Sequence, residues 1–158
     1  VIIRPASPAD FPAIRAVVAA AFGRDEEADI VEAVRAADEA LAELVAEDAD
    51  RIIGHVLLNR MTCATPLAGL APLSVAPAHQ NQGIGGALTR SGLEACRGLG
   101  MKGCVVLGDP AYYRRFGFAR APATLSSPYA HLAAFQALAF ETGVFDRPLA
   151  AAYPSAFG

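Results

Sequence analysis

Residues 73–86 read Leu73-Ser74-Val75-Ala76-Pro77-Ala78-His79-Gln80-Asn81-Gln82-Gly83-Ile84-Gly85-Gly86, and an amphipathic stretch follows at once. The order is a short apolar strand, a glycine turn with polar residues, and a helix start. The first N–H groups of a helix lack intrahelical acceptors and carry the positive end of its dipole, so such a turn gathers main-chain donors into an anion site. Gly83, Gly85 and Gly86 have no Cβ, which lets a phosphate approach the main chain closely.

Working outward, Val1–Arg4 reads as a first strand. Ser7-Pro8-Ala9-Asp10 starts a helix with a capping hydroxyl, a proline in the first turn and an acid three residues after the cap. Phe11, Ile14, Val17, Val18 and Phe22 recur at helical spacing, and Gly23 closes the run. A second helix is expected near Asp25, with Ile30, Val31 and Val34 inward. Leu41–Ala46 and Arg51–Met61 read as a hairpin turning at residues 47–50. Leu67–Val75 is a third strand in which Gly69 and Pro72 mark a bulge, an edge or a close approach.

After the glycine turn a helix is expected from Gly83 to Leu99. Its inner face would carry Ile84, Ala87, Leu88, Gly92, Ala95, Cys96 and Leu99, and its outer face Thr89, Arg90, Glu94 and Arg97. Gly103–Leu107 is a buried-type strand, Asp109–Phe116 a short helix, and Phe118 the start of another extended piece. Ser126–His131 reads as loop and Ala133–Glu141 as the last strand, although its alanines also permit helix, with Tyr153 and Phe157 as anchors of the tail. The order β-α-α-β-β-β-α-β-α-β-β implies an α/β fold with a mixed sheet and helices on both faces.

With 158 residues, 54% of them hydrophobic and 18% charged, the chain reads as one globular domain over 1–158 that needs no metal or disulfide staple. No apolar run approaches the ~20 residues of a membrane helix, and no secretion signal is visible. Cys63, Cys96 and Cys104 are scattered, which suits a reducing cytoplasm. His55, His79 and His131 share no ligand spacing, so no metal is expected. The net charge of −3 is uneven: residues 1–60 carry 12 acids and 6 bases, whereas residues 61–120 carry 2 acids and 6 bases. The basic third therefore holds the glycine turn, where it favours a phosphate-rich ligand. Six bases in that third are too few for a nucleic-acid footprint, which makes nucleic acid a poor partner.

Two common phosphate loops do not fit. A P-loop requires Gly-Lys-Ser/Thr, and here Ala87 and Leu88 follow Gly86. A dinucleotide turn requires a third small residue where Leu88 stands. The formal match Gly98-Leu99-Gly100-Met101-Lys102-Gly103 lies between a helix and the next strand, the reverse of the binding order, and reads as a turn.

What remains is Gln80-x-x-Gly83-x-Gly85 directly after Leu73-Ser74-Val75. It resembles the pyrophosphate loop of the Gcn5-related N-acetyltransferase (GNAT) family, Gln/Arg-x-x-Gly-x-Gly/Ala. Further on, Tyr113-Arg114-Arg115-Phe116-Gly117-Phe118 is similar to that family's Tyr-x-x-x-Gly-Phe segment. Gly108-Asp109-Pro110-Ala111-Tyr112-Tyr113 with Phe116-Gly117-Phe118 looks like the YhbS-type subgroup of predicted acetyltransferases. The Asn that commonly precedes the Tyr in the family is missing.

The resemblance implies acetyl-CoA as donor, the GNAT fold, and an amine acceptor that attacks the thioester directly in a ternary complex. It further implies that the main chain of Leu73, Ser74 and Val75 pairs with the pantetheine arm. The Val75 N–H would polarise the acetyl carbonyl. Gln80, Gln82, Gly83, Ile84, Gly85 and Gly86, with Ala87 and Leu88 just beyond, would hold the pyrophosphate, and Arg90 or Arg97 is a candidate for the adenosine phosphate. Tyr113 would protonate the leaving sulfur, with adjacent Tyr112 as the alternative in a shifted register and otherwise a packing residue.

An alkyl amine of pKa near ~10.4 is only about 0.1% neutral at physiological pH, so a base is required; His55, Asp109 and a water chain are the options. Acidic residues 25–29 would favour a cationic acceptor if they overhang the site, and otherwise are solvated helix ends. The acceptor is open between a small molecule, a peptide N-terminus and a lysine. A CoA-binding sensor without turnover is the alternative of another class. Sheet edges near the C-terminus leave a homodimer open.

Overall fold

The alternation of apolar side chains along the central strands sorts them onto two helical layers. In the computed structural model, which describes residues 1–158, Leu44 and Ala46 face one layer and Val45 the other. Strands β1 (Ile2–Pro5), β2 (Ala40–Asp48), β3 (Arg51–Arg60), β4 (Leu67–Val75), β5 (Gly103–Leu107), β8 (Phe135–Ala139) and β6 (Ala119–Arg120) form one sheet in the order β1-β2-β3-β4-β5-β8-β6. Within this sheet only β4 and β5 pair in parallel; every other pair is antiparallel.

Helices α1 (Phe11–Phe22) and α2 (Glu26–Ala36) cover one face, where Ile14, Val18 and Val31 meet Val45 and Leu57. Helix α3 (Ile84–Gly98) covers the other, where Ile84 and Leu88 meet Ala46, Val56 and Leu58. The mixed α/β sheet with helices on both faces matches the expected order. Two short strands were not foreseen: β7 (Leu125–Ser126) and β9 (Leu149–Ala150) pair in parallel outside the main sheet. Two residues each leave no periodicity to read.

Local signals act as the residue types dictate. The Asp10 carboxylate accepts from the Ser7 N–H at 2.8 Å, and a 3-10 turn over Pro8–Asp10 leads into α1. Gly23 closes α1 with a left-handed φ of 70° and donates to the Ala19 carbonyl. Two expected positions on α3 are reversed. Thr89 is fully buried rather than outward, its hydroxyl donating to the Gly85 carbonyl one turn back at 2.8 Å, which removes the cost of burying it. Leu99 is 55% exposed rather than inward, because α3 ends at Gly98.

Close helix–sheet contact aims α3 at the end of β4. A Cβ on Gly92 would stand 2.5 Å from Leu58 Cδ1, and one on Gly54 would stand 2.9 Å from Leu88 Cδ1. The irregularity read from Pro72 is real: Val56 opposes Leu73 while Leu58 opposes Leu70, so β4 carries one extra residue there. Gly69 marks a close approach, since its Cβ would meet Met61 Sδ at 2.8 Å and Asn59 Oδ1 at 2.9 Å. Beyond the bulge β4 leaves β5: their pairing runs only from Leu67 to Leu70 on β4. The Gly98–Gly103 match is indeed a turn, joining the end of α3 to the start of β5.

Candidate functional site

Ordinary helix physics leaves the turn at residues 80–86 rich in free donors. No main-chain amide from Gln80 to Gly86 donates to any protein acceptor. Gly83 adopts φ 83° at the N-cap of α3, a conformation costly for a residue with a Cβ. The turn forms the floor of a cleft of about 680 Å³, whose walls include Leu73, Val75, Gln80, Arg90, Tyr112 and Arg115. The Gln80 side chain donates to the Val75 carbonyl at 3.0 Å and so ties the turn to the strand end.

Expectation and geometry separate at three positions. The Ala87 N–H is taken by the Gly83 carbonyl at 3.1 Å, closing the first helical turn. Leu88 is fully buried in the core under α3. Neither lines the cleft, and neither does Gln82. The donors that face the cleft therefore lie before Ala87.

The departing edge of β4 supplies a second row of groups. Ala76 donates to Ile53, so by antiparallel alternation Ser74 pairs its main chain with His55 while Leu73 and Val75 turn theirs away from β3. Because β5 has already diverged, those groups meet no other strand; the Val75 carbonyl accepts from Gln80, and the Val75 N–H and both Leu73 groups are left open. Ser74 thus differs from the expectation: its main chain belongs to the sheet and its side chain is buried.

The short helix α4 (Pro110–Tyr113) brings two tyrosines to the junction. Asp109 caps it, accepting from the Ala111 N–H at 3.0 Å. A second cleft of about 500 Å³ opens on the other side of β4, and Tyr112 lines both clefts. The Tyr113 ring is 8% exposed, packed edge-on to Tyr112 and Phe118, and it borders the second cleft only. Burial pushes its hydroxyl pKa well above the ordinary tyrosine value. Tyr112 does more than pack: its hydroxyl reaches over Gly85, and the Arg115 guanidinium sits 4.4 Å from its ring centroid.

Of the basic candidates, Arg90 lines the first cleft and stacks on Phe116, whereas Arg97 lies over Phe140, away from it. Arg115 and His79 also border this cleft, and spacing alone did not single them out. His55 is fully buried in neither cleft; its Nε2 lies 2.9 Å from Glu43, which Arg35 grips at 2.6 Å. Among the acids of residues 25–29, only Glu27 lines the second cleft. Burial pushes the Cys96 thiol up to about 12, and Cys104, wholly buried, is raised as well. No helix is long and apolar enough to cross a membrane.

Comparison with known proteins agrees with this geometry. The sequence model of the Acetyltransferase (GNAT) domain matches residues 2–121. The uncharacterized N-acetyltransferase YhbS of Escherichia coli K12 is 33% identical over 92% of this chain and 95% of its own. YjhQ, an uncharacterized N-acetyltransferase of the same strain, is 41% identical over 66% of this chain, and that match takes in 62% of YjhQ. A GNAT family acetyltransferase from Brucella melitensis, solved with acetyl-CoA, superposes with a TM-score of 0.84 at 39% identity, spanning 99% of this chain and 97% of that one. E. coli YhbS, solved with CoA, gives a TM-score of 0.89 at 30% identity over 99% of this chain and 91% of that one.

Proposed function

This chain belongs to the GNAT acetyltransferase family, and from that membership we propose that it transfers the acetyl group of acetyl-CoA to an amine by direct attack in a ternary complex. The coarse activity, acetyl-CoA-dependent acyl transfer, is that of the family; the assignment of steps to residues is our own. The observation that carries it is the run of unengaged amides from Gln80 to Gly86 beside the open edge of β4. We take residues 1–158 as one catalytic domain, a reading supported by the 99% coverage of this chain in both superpositions.

In this reading the pyrophosphate lies on the amides of residues 80–86, with Arg90 and Arg115 beside it. The pantetheine arm extends β4 by pairing with Leu73 and Val75. The Val75 N–H then donates to the thioester oxygen as it gains charge. The neutral amine attacks the carbonyl carbon, the C–S bond breaks, and CoA leaves as a thiolate. Nitrogen loses one proton and sulfur gains one, so the step balances without metal or redox chemistry.

Tyr113 acts at the sulfur. Its raised pKa keeps it protonated, so it donates a hydrogen bond to the forming thiolate, which then takes up, from the group that accepted it, the proton released by nitrogen. His55 is sealed away, leaving Asp109 or a water beside it to take that proton. Direct attack is favoured over an acyl-enzyme because Cys96 and Cys104 are buried and protonated, and Cys63 lines neither cleft. The scattered free cysteines also support a cytoplasmic setting.

The test pairs calorimetric titration of CoA with release of CoA thiol across a panel of small amines and lysine peptides. Binding with saturable thiol release is the expected result. Tight binding with no release for any acceptor would instead mark a CoA sensor, and absence of binding would overturn the site altogether.

A further inference from the structure

We propose that the second cleft selects a primary ammonium carried on a small apolar body, and that Glu27 is the side chain that reads its charge; this rests on the acetyltransferase reading above. The two clefts that meet at Tyr112 are opposite in sign. The first has Arg90 and Arg115 in its walls, where the donor's phosphates would lie. In the second, Glu27 and Asp109 are the only charged residues, and no Lys, Arg or His borders it.

The rest of the second cleft fits an apolar body. Phe22 and Ile30 from the α1–α2 side, Phe157 from the tail, and Pro72 and Leu107 from the diverging strands enclose about 500 Å³, a volume suited to a small molecule. Into this space faces Tyr113, 8% exposed, its hydroxyl without a protein hydrogen bond. That hydroxyl is open to the cleft, so it is free to hydrogen-bond an acceptor bound there. The acceptor thus meets apolar walls around its body, a carboxylate at its nitrogen and the Tyr113 hydroxyl beside the reacting centre.

The two acids are not equivalent. One Asp109 oxygen is committed to capping α4. The Glu27 side chain is 13% exposed and both its oxygens accept from Arg24, Oε1 from Nε at 2.9 Å and Oε2 from Nη2, each oxygen keeping a further lone pair for an ammonium. Arg24 is itself 60% exposed and does not border the cleft, so it orients the carboxylate from the solvent side. The hydrogen bonds from Arg24 hold the Glu27 carboxyl below its ordinary pKa, so Glu27 is an anion that recognises charge and not a base that removes the proton. Glu26 supplies the internal comparison. It sits beside Glu27 and also approaches Arg24, at 3.6 Å, but it lies outside the cleft.

The experiment measures thiol release by the full chain, Glu27→Gln and Glu26→Gln, with phenethylamine and hexylamine as acceptors and phenethyl alcohol as an uncharged competitor. Glu27→Gln should raise KM for both amines about tenfold, the loss of one charge-assisted contact, with KM for acetyl-CoA unchanged. Glu26→Gln should match the unaltered chain, and phenethyl alcohol should inhibit all three alike. Equal amine KM in Glu27→Gln and the unaltered chain overturns the inference, as does turnover confined to lysine peptides; in both cases the transferase reading stands. No thiol release from the unaltered chain with any amine or peptide would remove that reading itself.

Discussion

The Tyr112 hydroxyl stands over Gly85, 2.8 Å from the point a Cβ on that residue would occupy. Gly85 lies in the first turn of α3 and Tyr112 in α4, so the contact closes the space between the phosphate turn and the helix that carries the tyrosines. Gly85→Ala should leave melting temperature unchanged or raised, since alanine gains up to about 1 kcal/mol in a helix and the hydroxyl can swing aside. Its methyl stands on the cleft floor, so the dissociation constant for CoA should rise about tenfold by titration calorimetry, the equivalent of one lost contact. A drop in melting temperature with CoA affinity intact would contradict this.

Gln80 acts through the strand rather than on the ligand. Its bond to the Val75 carbonyl is a single exposed contact, worth about 1 kcal/mol. Gln80→Ala should therefore spare thermal stability yet raise KM for acetyl-CoA about fivefold. Steady-state kinetics at saturating amine would show it.

Tyr113→Phe keeps the packing against Phe118 and removes only the hydroxyl. The expected outcome is a fall in kcat of about 100-fold with the CoA dissociation constant unchanged. Tyr112→Phe should do the reverse, weakening CoA and sparing kcat. An unaltered kcat in Tyr113→Phe would pass the role at sulfur to Tyr112.

The same burial gives an alkaline limit. Tyr113 and Tyr153 are both held protonated above the ordinary tyrosine value, burial being the main cause. An unfolded tyrosine loses its proton near about pH 10, so the unfolded state binds fewer protons there and stability falls as pH rises beyond that point. Tyr153→Phe should flatten the decline, measured as urea midpoints on either side of about pH 10.

Glu43 sets the acid side. Burial alone would raise its pKa, but hydrogen bonds from His55 and Arg35 prevail and lower it. Its contribution is therefore present above the unfolded carboxylate value, about 4.3, and lost as pH falls through the lower folded one. Glu43→Gln should cost about 3 kcal/mol near neutrality, because it leaves Arg35 and His55 without their anion, and less at about pH 3. Urea denaturation at the two pH values distinguishes these.

Much of this was legible in the chain as written. The glycine turn, the helix caps at Ser7 and Gly23, and the bulge at Pro72 follow from what those residues can and cannot do within a few positions. The Gln80-x-x-Gly83-x-Gly85 and Tyr113-x-x-x-Gly117-Phe118 pairing pointed to the family for the same reason: local motifs carry local chemistry. Thr89 was misplaced because its satisfaction by the Gly85 carbonyl depends on side-chain orientation within a packed helix. The limit at Ala87 came from where the first helical hydrogen bond closes, a boundary that spacing leaves uncertain by a residue or two.

The second cleft belongs to the tertiary structure alone. Phe22, Glu27, Pro72, Leu107, Tyr113 and Phe157 span most of the chain, and no period or motif relates them. The sequence by itself determined a strand, a turn of free amides and a helix, because each depends on neighbours a few residues away. Only folding decided that β4 and β5 part after Leu70, that Ser74 faces the sheet while Leu73 and Val75 face outward, and that Glu27 rather than Glu26 lines the second cleft. Those outcomes depend on strand register and helix rotation, which are set by burial of the whole core at once.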